Sequence, residues 1–382
     1  MTEKLYYIDA YIKEFDATVV SVEQNEKGYD IVLDKTAFFP EGGGQYSDKG
    51  FIDDAEIYDV QETDGIMHHY SKTPINVNKC VHCVIDFDER FDKMQQHTAE
   101  HIISGLFHSI YGVENTGFHL GAETVTLDTS RPVTKEELAT VERLVNIAIQ
   151  KNVKVSASFP SQDVLHTLDY RSKLDLKENV RIVDIEGYDS CACCAPHVNT
   201  TGEIGLLKFV CAVKHKGGSR ITMLAGMRAY DYVNTISCEA SAISVMLSAP
   251  ADEISTEVQK LLNSRDELSY KLSSVGKEMA ELIAGSIAPT DKNTVLHYSA
   301  LDYDALRCLM NLVKEKVGGI LVGIVGDEGN YRYILMSERA DFADIVKSAN
   351  SALSGRGGGR APMASGTFSA TEQEIKKYFK NI

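Results

Sequence analysis

The sequence lacks several features that would place it in other classes of protein. It has no tryptophan, and no uninterrupted apolar run reaches the roughly 18 residues that a membrane span requires. Its first residues hold no apolar segment of a secretory signal. No Gly-Lys-Ser/Thr follows its glycine runs and no Asp-His-His triplet occurs, which argues against a Walker nucleotide site and against a DHH phosphoesterase. We therefore expect a cytoplasmic protein without a membrane segment.

Basic residues are scarce at the start of the chain. The 382 residues carry a formal net charge of −16, and residues 1–70 alone hold 16 acidic residues against 5 lysines. Two later segments are locally basic, because 207–230 has five basic residues and no acid, and 351–382 has five against two acids. The total charge argues against a nucleic-acid partner, whereas its distribution leaves two segments that could meet one.

Length and composition indicate a globular protein of several domains. Hydrophobic residues make up 43% and charged residues 25%, a balance that excludes a disordered chain, a collagen-like fibre and a coiled coil over the whole length. At roughly 100–200 residues per domain, the length predicts two or three domains. The eight cysteines fit a reducing compartment, where clustered cysteines more often bind metal than form disulfides.

Local patterns divide the chain into four segments of an α+β multidomain protein. Residues 1–88 alternate short β-branched runs with turn residues, which predicts a small β-barrel or sandwich. Residues 89–232 begin with helical patterns and then alternate strands and loops, which predicts an α/β core. Residues 233–287 are predicted to form a long helical linker, and residues 288–382 a C-terminal α/β domain.

Two helices of the core have clear end signals. Apolar residues repeat at the spacing of one helix face from near Met94, and Gly112 is expected to end that helix. A second helix is predicted at Thr134–Lys151, because Thr134 and Glu137 have the spacing of a capping box.

The linker contains a heptad pattern. Its apolar residues from Ile254 to Leu282 are spaced alternately four and three apart, and only Arg265 interrupts them. This seam predicts either a coiled-coil homodimer through residues 254–282 or a helical hairpin that folds the seam onto its own domain. The sequence leaves both alternatives open.

Two pairs of residues have the spacing of metal ligands. His97 and His101 lie four residues apart on the first helix, so that both imidazoles share one face, opposite the apolar stripe, and are expected to point to solvent or a cleft. The second pair comes from Cys191-Ala-Cys193-Cys194-Ala-Pro-His197, where three cysteines and a histidine fall within seven residues. Two histidines on a helix plus a cysteine and a histidine in a loop predict one zinc ion per chain.

Other interpretations of these residues remain open. His97-Thr-Ala-Glu100-His101 also spells H-x-x-E-H, the signature of inverse-zincin metallopeptidases, in which Glu100 would be the general base. That class needs a further carboxylate ligand and leaves Cys193 and His197 without a role. A coincidental pair of surface histidines and ordinary core cysteines are the simpler structural explanations.

A glycine loop follows one of the first strands. Gly42, Gly43 and Gly44 precede Gln45, and three glycines allow a ligand close to the backbone and expose N–H donors to it. An ordinary hairpin turn is the alternative, although it needs fewer glycines.

Taken together, these motifs resemble the editing domain of alanyl-tRNA synthetases and its stand-alone relatives, the alanyl-tRNA editing proteins of the AlaX type. Over residues 1–230 the resemblance rests on three motifs, which are Phe39-Pro-Glu-Gly-Gly-Gly-Gln45, Gln96-His-Thr-Ala-Glu-His101 and Cys193-x3-His197 followed by Thr201-Gly-Glu-Ile-Gly205. It extends to the C-terminus, where residues 354–366 resemble the glycine motif of DHH-associated domains. The family usually has Cys-Gly-Gly-Thr-His where this chain has Cys193-Cys-Ala-Pro-His197. Only Cys193 keeps the ligand spacing, so the resemblance favours it over Cys191 and Cys194.

The resemblance implies a function and a set of site residues. The long form of the family implies a zinc-dependent hydrolase that removes serine, and as a second expected substrate glycine, from mischarged tRNA(Ala). Such editing is needed because a pocket sized for alanine rejects an added hydroxyl only weakly. The implied zinc ligands are His97, His101, Cys193 and His197. Thr36 and Gln45 are expected to discriminate the hydroxyl, and the alternative role for both is to stabilise the turn. The amides of Gly42, Gly43 and Gly44 are expected to bind the substrate. Contact with tRNA is expected from Arg220, Arg356 and Arg360.

A protein of another class remains possible from sequence alone. A non-catalytic RNA-binding protein with a structural zinc ion would carry the same ligand set, because four protein ligands complete a tetrahedron.

Overall fold

The structure, a computed structural model, describes residues 1–172 and 180–382. It divides into two compact units, Met1–Glu239 and Ala240–Ile382. Each unit combines helices with β-sheets, which confirms the expectation of a mixed α+β multidomain protein. Within the described ranges, no helix is both long enough and apolar enough to cross a membrane.

The first unit begins with a small closed barrel. Its region contains β1 (Glu3–Lys4), a 3-10 turn (Leu5–Tyr7), β2 (Glu14–Asn25), β3 (Gly28–Leu33), β4 (Lys35–Thr36), β5 (Gly50–Ile52), β6 (Ala55–Thr63), β7 (Ile66–Ser71) and β8 (Cys80–Ile85). The barrel closes in the order β2-β3-β7-β6-β5-β8, and β1 pairs with β4 separately. Alternate residues such as Val19, Ile31 and Ile57 fill its interior, because successive strand residues point to opposite faces.

Helix α1 (Phe87–Tyr111) follows the barrel directly. Its N-terminus is capped by the Asp86 side chain, which accepts a hydrogen bond from the Glu89 amide, and Gly112 ends it in the left-handed conformation, as expected. The helix thus starts at Phe87 rather than near Met94. Its middle section, residues 93–107, is buried on every side. The apolar stripe packs in the core of the unit, and the opposite face is also covered.

The rest of the core packs sheets against α1 and a second helix. It consists of β9 (Asn115–Leu120), β10 (Val125–Thr129), α2 (Lys135–Lys151), β11 (Val155–Ser158), α3 (Gln162–Leu165), β12 (Ile182–Ile185), β13 (Asp189–Ala192), a 3-10 turn (Thr201–Ile204), β14 (Leu207–His215) and β15 (Gly218–Ala225). One antiparallel sheet has the order β14-β15-β10-β9 and another the order β11-β12-β13. Thr134 and Glu137 form the expected capping box at the start of α2.

A buried charge cluster joins the barrel to α1. The Arg90 side chain, which is fully buried, donates to the Asp48 carboxylate and to the carbonyl oxygen of Ala37. The Lys93 ammonium donates to the carbonyl oxygen of Ser47 at 2.7 Å. Because Asp48 also accepts from the Phe39 amide, the cluster fixes both ends of the glycine loop against the helix.

Two long helices follow the core, α4 (Gly226–Leu247) and α5 (Ile254–Ser286), with a 3-10 turn (Ala251–Glu253) between them. The boundary between the two compact units falls within α4. On α5, Ala280 and Ala284 are buried in the core of the second unit. The heptad seam lies on another face and is exposed, with Leu268 at 65% and Leu282 at 78% of full exposure.

The second unit continues with an α/β arrangement. Its remaining elements are β16 (Thr294–His297), α6 (Tyr303–Val313), a 3-10 turn (Lys314–Lys316), β17 (Leu321–Asp327), β18 (Asn330–Met336), α7 (Phe342–Ala352), β19 (Arg356–Arg360), β20 (Met363–Phe368) and α8 (Glu372–Lys380). The sheet has the order β16-β17-β18-β20-β19, so the glycine-rich β19 is an edge strand. Separate apolar clusters cover the two faces of this sheet.

Candidate metal centre and adjoining cavity

Four predicted ligands converge at one point of the first unit. Each of His97, His101, Cys193 and His197 offers a ligand atom, and these four atoms lie within 4.8 Å of one another. The Cys193 sulfur lies 3.4 Å from Nε2 of His197 and 3.7 Å from Nε2 of His97. Ligand atoms around a tetrahedral zinc ion are about 3.3–3.6 Å apart, given its usual bond lengths. The donor set and its spacing therefore fit a zinc-sized ion.

Two elements bring these ligands together. His97 and His101 are one turn apart on α1, whereas Cys193 and His197 lie in the loop after β13. Arg181 holds that loop, because its Nη1 donates to the carbonyl oxygens of Cys193 and Ala195, each at 2.9 Å. The sequence did not point to Arg181, which lies outside both motifs, ten residues before Cys191.

Each imidazole is oriented by a hydrogen bond on the side away from the cluster. Nδ1 of His97 lies 3.1 Å from Oε1 of Gln45, and Nδ1 of His101 lies 3.1 Å from the Asp189 carboxylate. Nδ1 of His197 lies 3.0 Å from the Thr98 hydroxyl.

These partners fix the tautomers. Amide and carboxylate oxygens only accept, and Thr98 already donates its proton to the carbonyl oxygen of Met94. Each Nδ1 must therefore carry a proton, and the Nε2 atom of each ring is directed at the common point. Partners of this kind raise ligand basicity and hold ring orientation in metal sites.

The electrostatics also favour the ligand forms. Burial opposes ionisation of the Cys193 thiol, but the neighbouring His97 and the hydrogen bond from His101 hold its pKa well below the usual value. Burial lowers the pKa of His197 to about 3, which keeps that ring neutral. Burial also opposes a charge on His101, yet its hydrogen bonds to Asp189 and Cys193 raise its pKa well above the usual value. Without metal, the cluster thus holds a proton next to a thiolate, and metal binding would release that proton.

The ligand cluster forms part of the wall of a cavity of about 510 Å³. Gly43 and Gly44 also line it, and Tyr7, Phe118 and Phe159 supply aromatic surface. Gly44 has φ 84°, and a Cβ at this position would lie 2.6 Å from the Phe118 carbonyl oxygen, so the loop requires glycine here. Hydrogen bonds between Gly42 and Gln45 close the loop as a tight turn.

The other residues expected to act on substrate lie in different places. Gln45 is buried behind the cluster, where its Oε1 contacts His97 and its Nε2 has no hydrogen-bond partner among the described residues. Thr36 is buried next to the barrel strands, where its hydroxyl contacts Nε2 of His69 at 2.9 Å, and it is not part of the cavity lining. Gly42 belongs to the turn rather than to the lining.

The expected tRNA-contacting arginines differ in their availability. Arg220 forms a two-point ion pair with Asp128, at 2.7 Å for each contact. Lys208 and Arg228 of the same basic segment also have carboxylate partners, Glu142 and Asp92. Most of the positive charge in 207–230 is therefore neutralised within the fold. In the second unit, Arg356 and Arg360 are exposed on β19.

The remaining cysteines and carboxylates divide between two neighbouring groups. Cys191 lies with Asp189 beside His101, in a second group whose ligand atoms are within 4.8 Å of one another. The Cys194 sulfur lies 3.8 Å from the position of a Cβ on Gly43. Among the described residues, the group that contains both His97 and His101 includes no carboxylate. The carboxylate that an inverse zincin needs as its third metal ligand is therefore not found beside His97 and His101 together in the described part of the chain.

Comparison with known proteins agrees with this arrangement. Residues 3–89 match the family described as tRNA synthetases class II (A), and residues 180–224 match the second additional domain of threonyl and alanyl tRNA synthetases. Alanyl-tRNA editing protein Aarsd1 of Rattus norvegicus is 28% identical over 92% of this chain and 90% of its own. Aarsd1 of Bos taurus is 30% identical over 73% of this chain and 67% of its own. Alanyl-tRNA editing protein AlaX-L of Pyrococcus horikoshii is 27% identical over 98% and 96%.

These matches identify a protein built from domains of the aminoacyl-tRNA synthetase type, with the ligand cluster at the junction of its helix and loop motifs. More narrowly, the chain belongs to the alanyl-tRNA editing protein family.

Proposed function

We propose that the protein is a trans-editing hydrolase that removes serine, and also glycine, from mischarged tRNA(Ala) with the help of one zinc ion. The observation that supports this most is the convergence of His97, His101, Cys193 and His197 beside a cavity that Gly43 and Gly44 also line. The relatives are named for the editing of alanyl-tRNA, which supplies the substrate class.

The chain's own residues would bind and orient the ester. The N–H groups of Gly43 and Gly44 border the cavity and have no acceptor among the described hydrogen bonds, so they can donate to the ester carbonyl or to the oxyanion that develops from it. A zinc ion held by the four ligands would supply Lewis-acid polarisation or a bound water of lowered pKa. Phe118 and Phe159 offer aromatic surface to the terminal adenine.

The two residues expected to discriminate the hydroxyl have different roles in this proposal. Gln45 acts through His97, which it orients, and its buried Nε2 has no hydrogen-bond partner among the described residues. Thr36 supports the barrel wall behind the glycine loop, because its hydroxyl connects His69 with the Phe38 amide.

A deacylation assay tests the proposed function. Protein loaded with zinc is incubated with Ser-tRNA(Ala), Gly-tRNA(Ala) and Ala-tRNA(Ala), and we expect loss of the first two with little loss of the third. His97→Ala should abolish this activity. His108→Ala is the matched control, since His108 lies on the same helix but is exposed and contacts Glu114 instead.

The same assay separates the alternatives. A protein that binds tRNA but deacylates none of the three substrates is a non-catalytic RNA-binding protein with structural zinc, the alternative that a complete four-ligand set favours. Cleavage of peptides without deacylation would indicate the metallopeptidase.

For the second unit we propose a DHH-associated domain that contacts tRNA through Arg356 and Arg360.

We also propose a homodimer through residues 254–282. The exposure of Leu268, Leu272 and Leu282 supports the dimer over a hairpin, because the seam does not pack against its own unit. Sedimentation should give the mass of two chains, and Leu268→Glu with Leu272→Glu should give the mass of one.

A further inference from the structure

Glu100 is a carboxylate in the wall of the cavity next to the ligand cluster. It lies on α1, between the ligand histidines, and only 4% of the residue is exposed. No other carboxylate is found among the described residues that line this cavity. A single buried acid in a pocket otherwise lined by aromatic, glycine, cysteine and basic residues requires an explanation.

The two oxygens of this carboxylate differ. Oε1 accepts hydrogen bonds from the Ser104 hydroxyl and from the side-chain amide of Asn115. The Asn115 side chain is itself fixed, because its oxygen accepts from the Gly117 amide at 2.9 Å. Oε2 has no hydrogen-bond donor within the part of the chain that the structure describes. One oxygen is thus anchored by the protein and the other is left for a ligand.

The nearby positive charges are committed elsewhere. Arg171 lines the same cavity, but its Nε and Nη2 donate to the Asp189 carboxylate at 2.7 and 2.8 Å. Arg181 donates to two backbone carbonyl oxygens of the ligand loop. The imidazoles of His97 and His101 are held by Gln45 and Asp189. Arg171 attracts Glu100 but forms no ion pair with it, and neither does any other described residue. A buried carboxylate without a paired cation is costly.

We propose that Glu100 binds the α-ammonium group of the aminoacyl ester. This inference rests on the proposed function, because an aminoacyl ester is a substrate whose reacting end carries a positive charge two bonds from the carbonyl carbon. The carboxylate lies on the helix that carries His97 and His101, so an ammonium held by Oε2 places its ester near the cluster. The site would therefore select esters with a free amino group and reject those whose nitrogen is acylated.

Substrates that differ only at the amino group provide the test. Initial rates are measured with Ser-tRNA(Ala) and with N-acetyl-Ser-tRNA(Ala), using zinc-loaded wild type, Glu100→Gln and Glu114→Gln. Glu114 is the control, because it is an exposed acid just beyond the same helix. Zinc content and melting temperature of each variant establish that it is folded and loaded.

We expect the kcat/KM of wild type to be at least about 10-fold higher for the substrate with the free amine. Glu100→Gln should lower kcat/KM for that substrate alone by about 10- to 100-fold, mainly through a higher KM, as expected for the loss of one charge-assisted hydrogen bond. The acetylated substrate should be cleaved equally by both. A wild type that treats the two substrates alike overturns the inference, whether or not the variant folds. A Glu100→Gln that loses kcat equally on both substrates also overturns it and assigns Glu100 as a general base. If wild type deacylates neither, the proposed function fails instead.

Discussion

The side-chain oxygen of Gln45 lies 3.1 Å from Nδ1 of His97 and so connects the glycine loop to the ligand helix. Gln45 is the residue that closes the glycine turn, and His97 is the first of the four converging ligands. A displacement of the loop is therefore transmitted to the orientation of a ligand ring. The two sequence motifs are physically coupled, although 51 residues separate them in the chain.

Gln45→Ala should weaken zinc binding. Removal of the oxygen leaves the His97 ring without its orienting partner, and changes of this kind typically lower metal affinity by about 10- to 100-fold. Competition with a chelator of known affinity measures the effect. Gln24→Ala is the control, because Gln24 is exposed on β2 of the same unit. Equal affinities for the two variants would contradict the coupling.

The three neighbouring cysteines should differ in their effect on metal content. Cys193→Ala should reduce the zinc content well below one ion per chain, because only its sulfur joins the three imidazoles. Cys194→Ala should retain the ion, since that sulfur lies beside Gly43. Cys191→Ala should also retain it, because Cys191 groups with Asp189 instead. Elemental analysis of the purified variants decides, and zinc loss confined to Cys191→Ala or Cys194→Ala would reassign the ligand.

The buried pair of Asp48 and Arg90 should be essential for stability. Asp48→Ala leaves the fully buried guanidinium without its partner, and breaking such a pair typically costs about 3–5 kcal/mol. Urea unfolding of the full chain, followed by a signal from the first unit, measures the change. Lys49→Ala is the adjacent control, because Lys49 is exposed and its ion pair with Glu89 is expected to contribute at most about 1 kcal/mol. Similar losses in both variants would contradict the prediction.

Local sequence signals indicate several of the elements and the residue types of a candidate metal site. The capping box of Thr134 and Glu137 and the helix end at Gly112 depend on neighbouring residues alone, and the structure confirms both. The spacing of His97 and His101 places them on one face of a helix in any fold. The structure brings them together with Cys193 and His197, the second pair that the sequence offers as metal ligands by residue type and spacing.

The surroundings of the ligands could not be predicted. Periodicity indicates which face of α1 is apolar and leaves open whether the opposite face meets solvent or a cleft. The structure shows that His97 and His101 are buried and line a cavity, which periodicity alone could not decide. Asp189 and Thr98 orient the ligands through contacts between residues about 90–100 positions apart, and no local pattern marks such contacts. Arg181 holds the ligand loop across 12 positions, and no motif marks that contact either. The charge of 207–230 likewise could not reveal that Arg220 is already paired with Asp128.

Binding of tRNA should depend on salt through Arg356 and Arg360. Both side chains are exposed on the edge strand β19 and have no ion pair among the described residues. If each contacts a phosphate, the double variant Arg356→Gln/Arg360→Gln should lower the slope of log affinity against log salt by about one per arginine. Arg339→Gln is the control, because Arg339 is also exposed in this unit but is paired with Asp341. An unchanged slope in the double variant would remove β19 from the tRNA surface.

His69 should make the first unit less stable in mild acid. Its Nδ1 donates to the Ile31 carbonyl oxygen and its Nε2 accepts from Thr36, so the ring is neutral in the fold, and burial lowers its pKa to about 4. The unfolded chain binds a proton near pH 6.5, whereas the native state resists it until about pH 4. Stability is therefore fully present above pH 6.5 and falls by up to about 1.4 kcal/mol per pH unit as the pH decreases through this window. Urea unfolding between pH 4.5 and 6.5 should give a free energy of unfolding that depends less on pH for His69→Gln than for wild type. The control His108→Gln changes an exposed histidine and should keep the wild-type slope. Parallel curves for wild type and His69→Gln would show that His69 takes up its proton in the folded protein.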